Sequence, residues 1–173
     1  MVYLTAAECL AWCVEKEVHV PWRTKGADTM PRARFELPGT IDSALAVSRQ
    51  IAEAIGPWRT CLLWVTAWDI RRSSENLHLY YTLRRSYGDR RLIPDAPGHL
   101  FLSHENHDLV SFVELALLFG WDAYILTDSK YGKAFISHDS WVEVWRTTTS
   151  DLEVVSEDFR SSRQPDREPF GRG

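Results

Sequence analysis

Cys61-Leu62-Leu63-Trp64-Val65-Thr66-Ala67-Trp68 decides the fold class. All but Thr66 are apolar. A short, continuously apolar segment is what a strand covered on both faces looks like. It is read as the central strand of a sheet. On its N-terminal side, Ile41, Ala44, Leu45, Val47, Ile51, Ala54 and Ile55 recur at helical spacing, with Thr40 or Asp42 as cap and Gly56-Pro57 as the stop. Before that helix, Arg32 to Leu37 alternates, placing Ala33, Phe35 and Leu37 on one face of a half-buried strand. Farther upstream, Thr5-Ala6-Ala7-Glu8 has capping-box spacing and opens a helix whose stripe is Cys9, Leu10, Trp12 and Cys13.

On the C-terminal side, Ser73 or Ser74 caps a helix to about Tyr87, with Gly88 past its end and Arg84 and Arg85 against its negative pole. A proline-containing loop, Arg90 to Gly98, leads into the strand His99 to Leu102. Ser103 or Asn106 caps a further helix through Leu118, and Gly120 turns the chain into the strand Asp122 to Leu126. Lys133 to Ser137 and Trp141 to Arg146 read as a hairpin, with Trp141, Glu143 and Trp145 against Val142 and Val144 giving the second strand the pattern of an exposed edge. Alternation of this kind predicts an α/β fold, a single-layer mixed sheet with helices packed on it, with α+β as the alternative. Residues 1–148 are expected to form one domain. From about residue 149 apolar residues thin out, and 149–173 read as a mobile polar tail.

The chain has 173 residues, with 20 Lys and Arg against 24 Asp and Glu; the net charge of -4 argues against a general surface for nucleic acid. The longest apolar run, Val113 to Trp121, is broken by Glu114 and falls short of the ~20 residues that span a bilayer, so no membrane partner is expected. The N-terminus lacks the pattern of a secretory signal, which predicts a cytoplasmic protein. Cys9, Cys13 and Cys61 read as buried, reduced thiols. Eight tryptophans are more than a core of this size normally uses. They either pack around the sheet or serve at an interface.

Two groups of side chains carry the functional readings. The first is Arg84 and Arg85 on the third helix with Trp141 and Trp145 on the last strand, a protein-binding surface, since Trp and Arg dominate interface hot spots. Set against it is a solvated arginine face with favourable helix-end charges. The second is a pocket of Arg90, Arg91, His99, His104, Glu105 and His107, at a strand end followed by a helix start, where ligands of α/β sheets often bind. Its spacings match no zinc signature, and capping explains His104 and His107 equally well, so neither a metal nor a cofactor is expected. Ser137-His138-Asp139-Ser140 reads as a turn, because neighbouring side chains in a strand point to opposite faces and cannot form a triad. No nucleophile elbow, phosphate-binding loop or dinucleotide fingerprint occurs, which lowers the expectation of an enzyme.

The stretch from Leu77 to Trp145 resembles a family of uncharacterised bacterial proteins. The resemblance is carried by Ser86-Tyr87-Gly88-Asp89, Ala96-Pro97-Gly98-His99-Leu100-Phe101, Leu117-Leu118-Phe119-Gly120-Trp121-Asp122 and Ile136-Ser137-His138-Asp139. In architecture and composition the chain is also similar to small α/β immunity proteins that neutralise toxins in the bacterial cytoplasm. That likeness has no diagnostic motif and transfers no functional residue. The expectation is therefore a non-enzymatic, immunity-like interaction module whose partner is another protein such as a toxin. The alternatives are a small-molecule or nucleotide-binding protein or hydrolase using the His/Arg pocket, and a homo-oligomer joined through an exposed edge strand.

Overall fold

The computed structural model describes residues 1–20, 29–37, 43–68 and 77–161. Seven strands form one sheet: β1 (Val2–Leu4), β2 (Arg32–Glu36), β3 (Thr60–Ala67), β4 (Gly98–Leu102), β5 (Asp122–Thr127), β6 (Gly132–Ser137) and β7 (Trp141–Arg146). Their order is β1-β4-β3-β5-β6-β7-β2. The expected single sheet with helices packed on it is present, but every pairing is antiparallel where a mixed sheet is expected. Helical segments between strands suggest parallel crossovers. Here they instead carry the chain over the sheet to antiparallel neighbours.

The segment that decided the fold class lies inside the sheet, as its composition requires. Cys61, Leu63 and Val65 face one hydrophobic cluster and Leu62 and Trp64 the other, and all five are buried. The larger cluster is closed by α2 (Ala44–Ala54), α4 (Asn106–Leu118) and α5 (Thr149–Ser161), with Tyr80 of α3 (Leu77–Ser86) inserted into it. On the opposite face α1 (Ala6–Glu15) packs through Cys9, Trp12 and Cys13 against Leu62, Trp64 and Leu126, with Val20 buried beside them. The predicted capping box at Thr5 and Glu8 is formed. The predicted caps of α2 at Thr40 or Asp42 and of α3 at Ser73 or Ser74 lie outside the described residues.

Close approach sets two junctions. A Cβ added to Gly98 would fall 2.2 Å from Cys9 Sγ, so glycine lets α1 settle onto β4. The proline loop's glycine thus serves helix packing. At the far side of the sheet, a Cβ on Gly132 would meet Ile55 O at 3.0 Å and Ala54 O at 3.1 Å, where the C-terminus of α2 rests on β6. Arg146 Nη1 donates to Ala54 O at 2.6 Å, a cation placed at the negative end of that helix.

Two expectations are corrected. Trp141–Arg146 is not an edge: it pairs with β6 on one side and β2 on the other, and the charged strand β2 takes the edge. The expected mobile tail is helical from 149 to 161, with Leu152, Val155 and Phe159 buried at helical spacing. Phe159 stacks on Phe35 with centroids 4.5 Å apart and planes 10° from parallel. Three apolar side chains on one helical face suffice to dock a helix that is polar elsewhere. The rest of the expected tail, 162–173, lies outside the described residues.

If α5 holds the edge of the sheet as this packing implies, Phe159→Ala lowers unfolding free energy by about 3–5 kcal/mol, the range for deleting a buried phenyl ring. Urea denaturation of variant and wild type measures it; a change under about 0.5 kcal/mol would mean that the segment is the loose tail its composition suggests.

Candidate functional site

The six residues expected to form a pocket do not converge. His99 is fully buried in β4, its ring 5.1 Å from that of Tyr3 and 5.0 Å from that of Phe112. Its Nδ1 lies 3.2 Å from Leu63 O, an acceptor only, so Nδ1 carries the hydrogen and Nε2 accepts from the Tyr80 hydroxyl at 2.5 Å. Burial is the main reason its pKa drops to about 3, with the Arg84 charge adding to it. Burial likewise pushes the Tyr80 hydroxyl above the ordinary tyrosine range. The pair is therefore neutral and sealed, whereas a general acid or base works best with a pKa near the operating pH and within reach of substrate.

Arg84 is the arginine that faces this pair. It is fully buried, with Cζ 4.7 Å from the Tyr3 ring centroid and 5.7 Å from that of Tyr80. Nη1 donates to Ile93 O at 3.3 Å and Nη2 lies 3.3 Å from Asp89 Oδ2. Asp89 also accepts from the Arg91 backbone N–H at 2.7 Å and from Arg91 Nη2 at 2.6 Å. Burial would raise the Asp89 carboxyl, but the Arg91 donors and the two guanidinium charges outweigh it and hold it below its usual range. Arg91 Nη2 further donates to Tyr3 O at 2.8 Å, which ties the loop after α3 to β1. A charged pair buried without partners costs several kcal/mol per ion, and here two arginines share one carboxylate to offset it.

The remaining members of the expected pocket are spent or scattered. Arg90 and Arg91 line a surface depression of about 500 Å³ with Tyr3, Tyr87 and Asp89, and His99 is not on its wall. Glu105 accepts from the Leu102 N–H and from the Met1 amino group. His104 and His107 are exposed. Among the described residues no group of three His, Cys, Asp or Glu side chains is placed to hold a metal ion. Ser137–Ser140 is the β6–β7 turn expected of it, and His138 pairs with Asp122 at 2.8 Å while the Ser137 hydroxyl accepts from Asp139 N–H.

The expected protein-binding set is also divided. Arg84 is interior, so it is corrected from a contact residue to a structural one. Trp145 is 2% exposed, with the Lys133 ammonium 5.7 Å from its ring, and it too is corrected. Only Arg85 is exposed, and Trp141 is half-buried. Most tryptophans pack around the sheet: Trp12, Trp64, Trp121 and Trp145 are buried, and Trp58 and Trp68 lie against the main cluster.

What the sheet does assemble is a row of aromatics on the face that α1 covers only in part. Because Ala123, Ile136 and Val142 point into the helical core, Tyr124, Phe135 and Trp141 occupy the opposite face. Tyr124 and Phe135 are register partners with ring centroids 4.4 Å apart, and Phe135 and Trp141 follow at 5.3 Å. Arg34 of β2 lays its guanidinium 3.7 Å above the Trp141 ring. Beside the row, Arg32 pairs with Glu143 at 3.6 Å. The three aromatics are half-buried, and Tyr124 packs against the α1 cluster while Phe135 and Trp141 are not part of it. Sequence reading missed Tyr124, Phe135 and Arg34 because the row exists only across strands whose order the sequence does not state. Compared with protein-family models, curated proteins and solved structures, the chain matches none.

The three cysteines are buried, and burial raises their pKa values, to about 12 for Cys9 and about 11 for Cys13. A thiol-specific disulfide reagent at pH 8 is expected to titrate none of them in the folded protein and all three after denaturation. Fast reaction of Cys9 or Cys13 in the native state would show that α1 opens readily from the sheet. His99 makes a second prediction. Its folded pKa is below its unfolded value, so it contributes stability above pH 6.5 that is lost as pH falls toward about 3. The stability advantage of wild type over His99→Gln therefore shrinks by about 1.4 kcal/mol per pH unit inside that window. A pH-independent difference between the two would mean that His99 is accessible to protons in the folded state.

Proposed function

We propose that the chain is a non-enzymatic protein-interaction module and that its contact surface is the partly uncovered sheet face centred on Phe135 and Trp141. The supporting observation is the continuous aromatic row Tyr124, Phe135 and Trp141, flanked by the charged side chains of Arg32 and Glu143. An apolar centre with a charged rim is the anatomy of a protein interface, and aromatic side chains at such a centre carry much of the binding energy. The pocket alternative has weaker support, because the histidine it needs is enclosed under α3.

The narrower form of this reading is a bacterial, cytoplasmic immunity protein whose partner is a toxin. It rests on the likeness of architecture and composition, and it predicts that a toxin is the protein retained. Affinity capture from the native host, followed by titration of the retained protein, tests the surface. With folding checked by circular dichroism, Phe135→Ser and Trp141→Ala should each weaken the complex by at least about 30-fold, the equivalent of about 2 kcal/mol, while Arg85→Glu leaves it within a few-fold. A partner that binds all three variants like wild type would place the interface elsewhere and overturn the proposal.

A further inference from the structure

The strand β2 closes one side of the sheet, with β7 as its neighbour and, among the described residues, no strand beyond it. The ladder with β7 fixes which backbone groups point outward. Leu37 N–H donates to Ser140 O at 2.8 Å, and Arg146 N–H donates to Pro31 O at 3.0 Å. With a two-residue period, Ala33 and Phe35 also turn their N–H and C=O toward β7, and Arg32, Arg34 and Glu36 turn theirs away from the sheet. The side chains of these three share the face opposite α5 and are 60%, 52% and 68% exposed, with Arg34 Nε 3.9 Å from Glu36 Oε1 within the strand, a pair that the facing charges of a second copy would extend. Proteins often protect an edge with charge, which works when the charges that would meet have the same sign. On β2 they do not.

When a second copy is laid antiparallel along this edge with the two-fold axis at Phe35, Arg34 falls opposite Glu36 of the second copy and Glu36 opposite its Arg34. These two positions are also the ones whose backbone groups face outward, so both form hydrogen-bonded pairs, and opposite charges directly across an antiparallel pair attract. The helical layer fits the same axis. The α5 helix packs on both β2 and β7. A strand spacing of about 4.8 Å then puts it roughly 5 Å from the axis and the two α5 helices roughly 10 Å apart, an ordinary helix packing distance. We infer that the chain self-associates as a two-fold dimer through its β2 edges, joining two seven-stranded sheets into one, with Arg34 and Glu36 setting the register.

Sedimentation velocity over a range of protomer concentration up to the order of 100 μM tests this, with circular dichroism as the folding control. Wild type should show a concentration-dependent dimer. Arg34→Glu places Glu opposite Glu, Glu36→Arg places Arg opposite Arg, and each alone should be monomeric. An equimolar mixture of these two variants restores opposite charges at every facing pair and should dimerise, as should the double exchange R34E/E36R. Arg34→Pro, which removes an N–H that the β7 ladder does not use, should also be monomeric. A wild type that stays monomeric throughout, or a dimer that persists unchanged in Arg34→Glu and Arg34→Pro, would overturn the inference.

Discussion

The structure depends on β3 being covered on both faces. Leu62 and Trp64 point one way, Cys61, Leu63 and Val65 the other, and a strand with no solvent-facing side requires helices on two sides of the sheet. The two sides are closed very unequally. Among the described residues four helices contribute to one, and α1 with Val18 and Val20 packs on the other. One ten-residue helix, about 15 Å long, cannot cover seven strands spaced about 4.8 Å apart. Phe135 and Trp141 lie half-buried beyond α1, whose position is set by Gly98, which admits Cys9.

How much of this was legible in sequence depends on which physical signal each element carried. The continuous apolarity of Cys61 to Ala67 and the capping box at Thr5 are local signals, and both led to the right element. The pattern of Trp141–Arg146 was read correctly as two-faced and misplaced in the sheet. A polar face looks the same whether the strand is at an edge or lies in an interior part of a sheet that no helix covers. The helix α5 was missed because it buries only Leu152, Val155 and Phe159, so its composition resembled a tail while its spacing did not.

Arg84 shows the same limit at the level of a single residue. Arginine at the end of a helix reads as a surface residue complementing the dipole, and Arg85 behaves that way. One position earlier, the side chain points inward, where Tyr3 arrives from the other end of the chain and Asp89 from the following loop. Neither neighbour is predictable from a helical pattern. The signal available was Asp89 after Gly88: a carboxylate that the chain turns back toward the helix end, here with its N–H donating to Arg84 O.

The Arg84 cluster lies inside the protein and not at a cleft, with Arg84, His99 and Tyr80 all buried. Catalytic sites leave a polar group unsatisfied toward a cleft, so that substrate completes it. Around Arg84 most ionic partners are internal: Asp89 serves two guanidiniums, Arg91 reaches Tyr3 O, and His99 is held between Leu63 O and Tyr80, while among the described residues Arg84 Nε and the Tyr3 hydroxyl are buried without a hydrogen-bond partner. Replacing such a cluster with apolar side chains need not cost stability. What the polar version adds is a defined geometry joining α3 and β4 to β1, which comes from the other end of the chain. In that geometry Arg84 and Arg91 act as structural ties, and the aromatic row of the sheet lies on the opposite face.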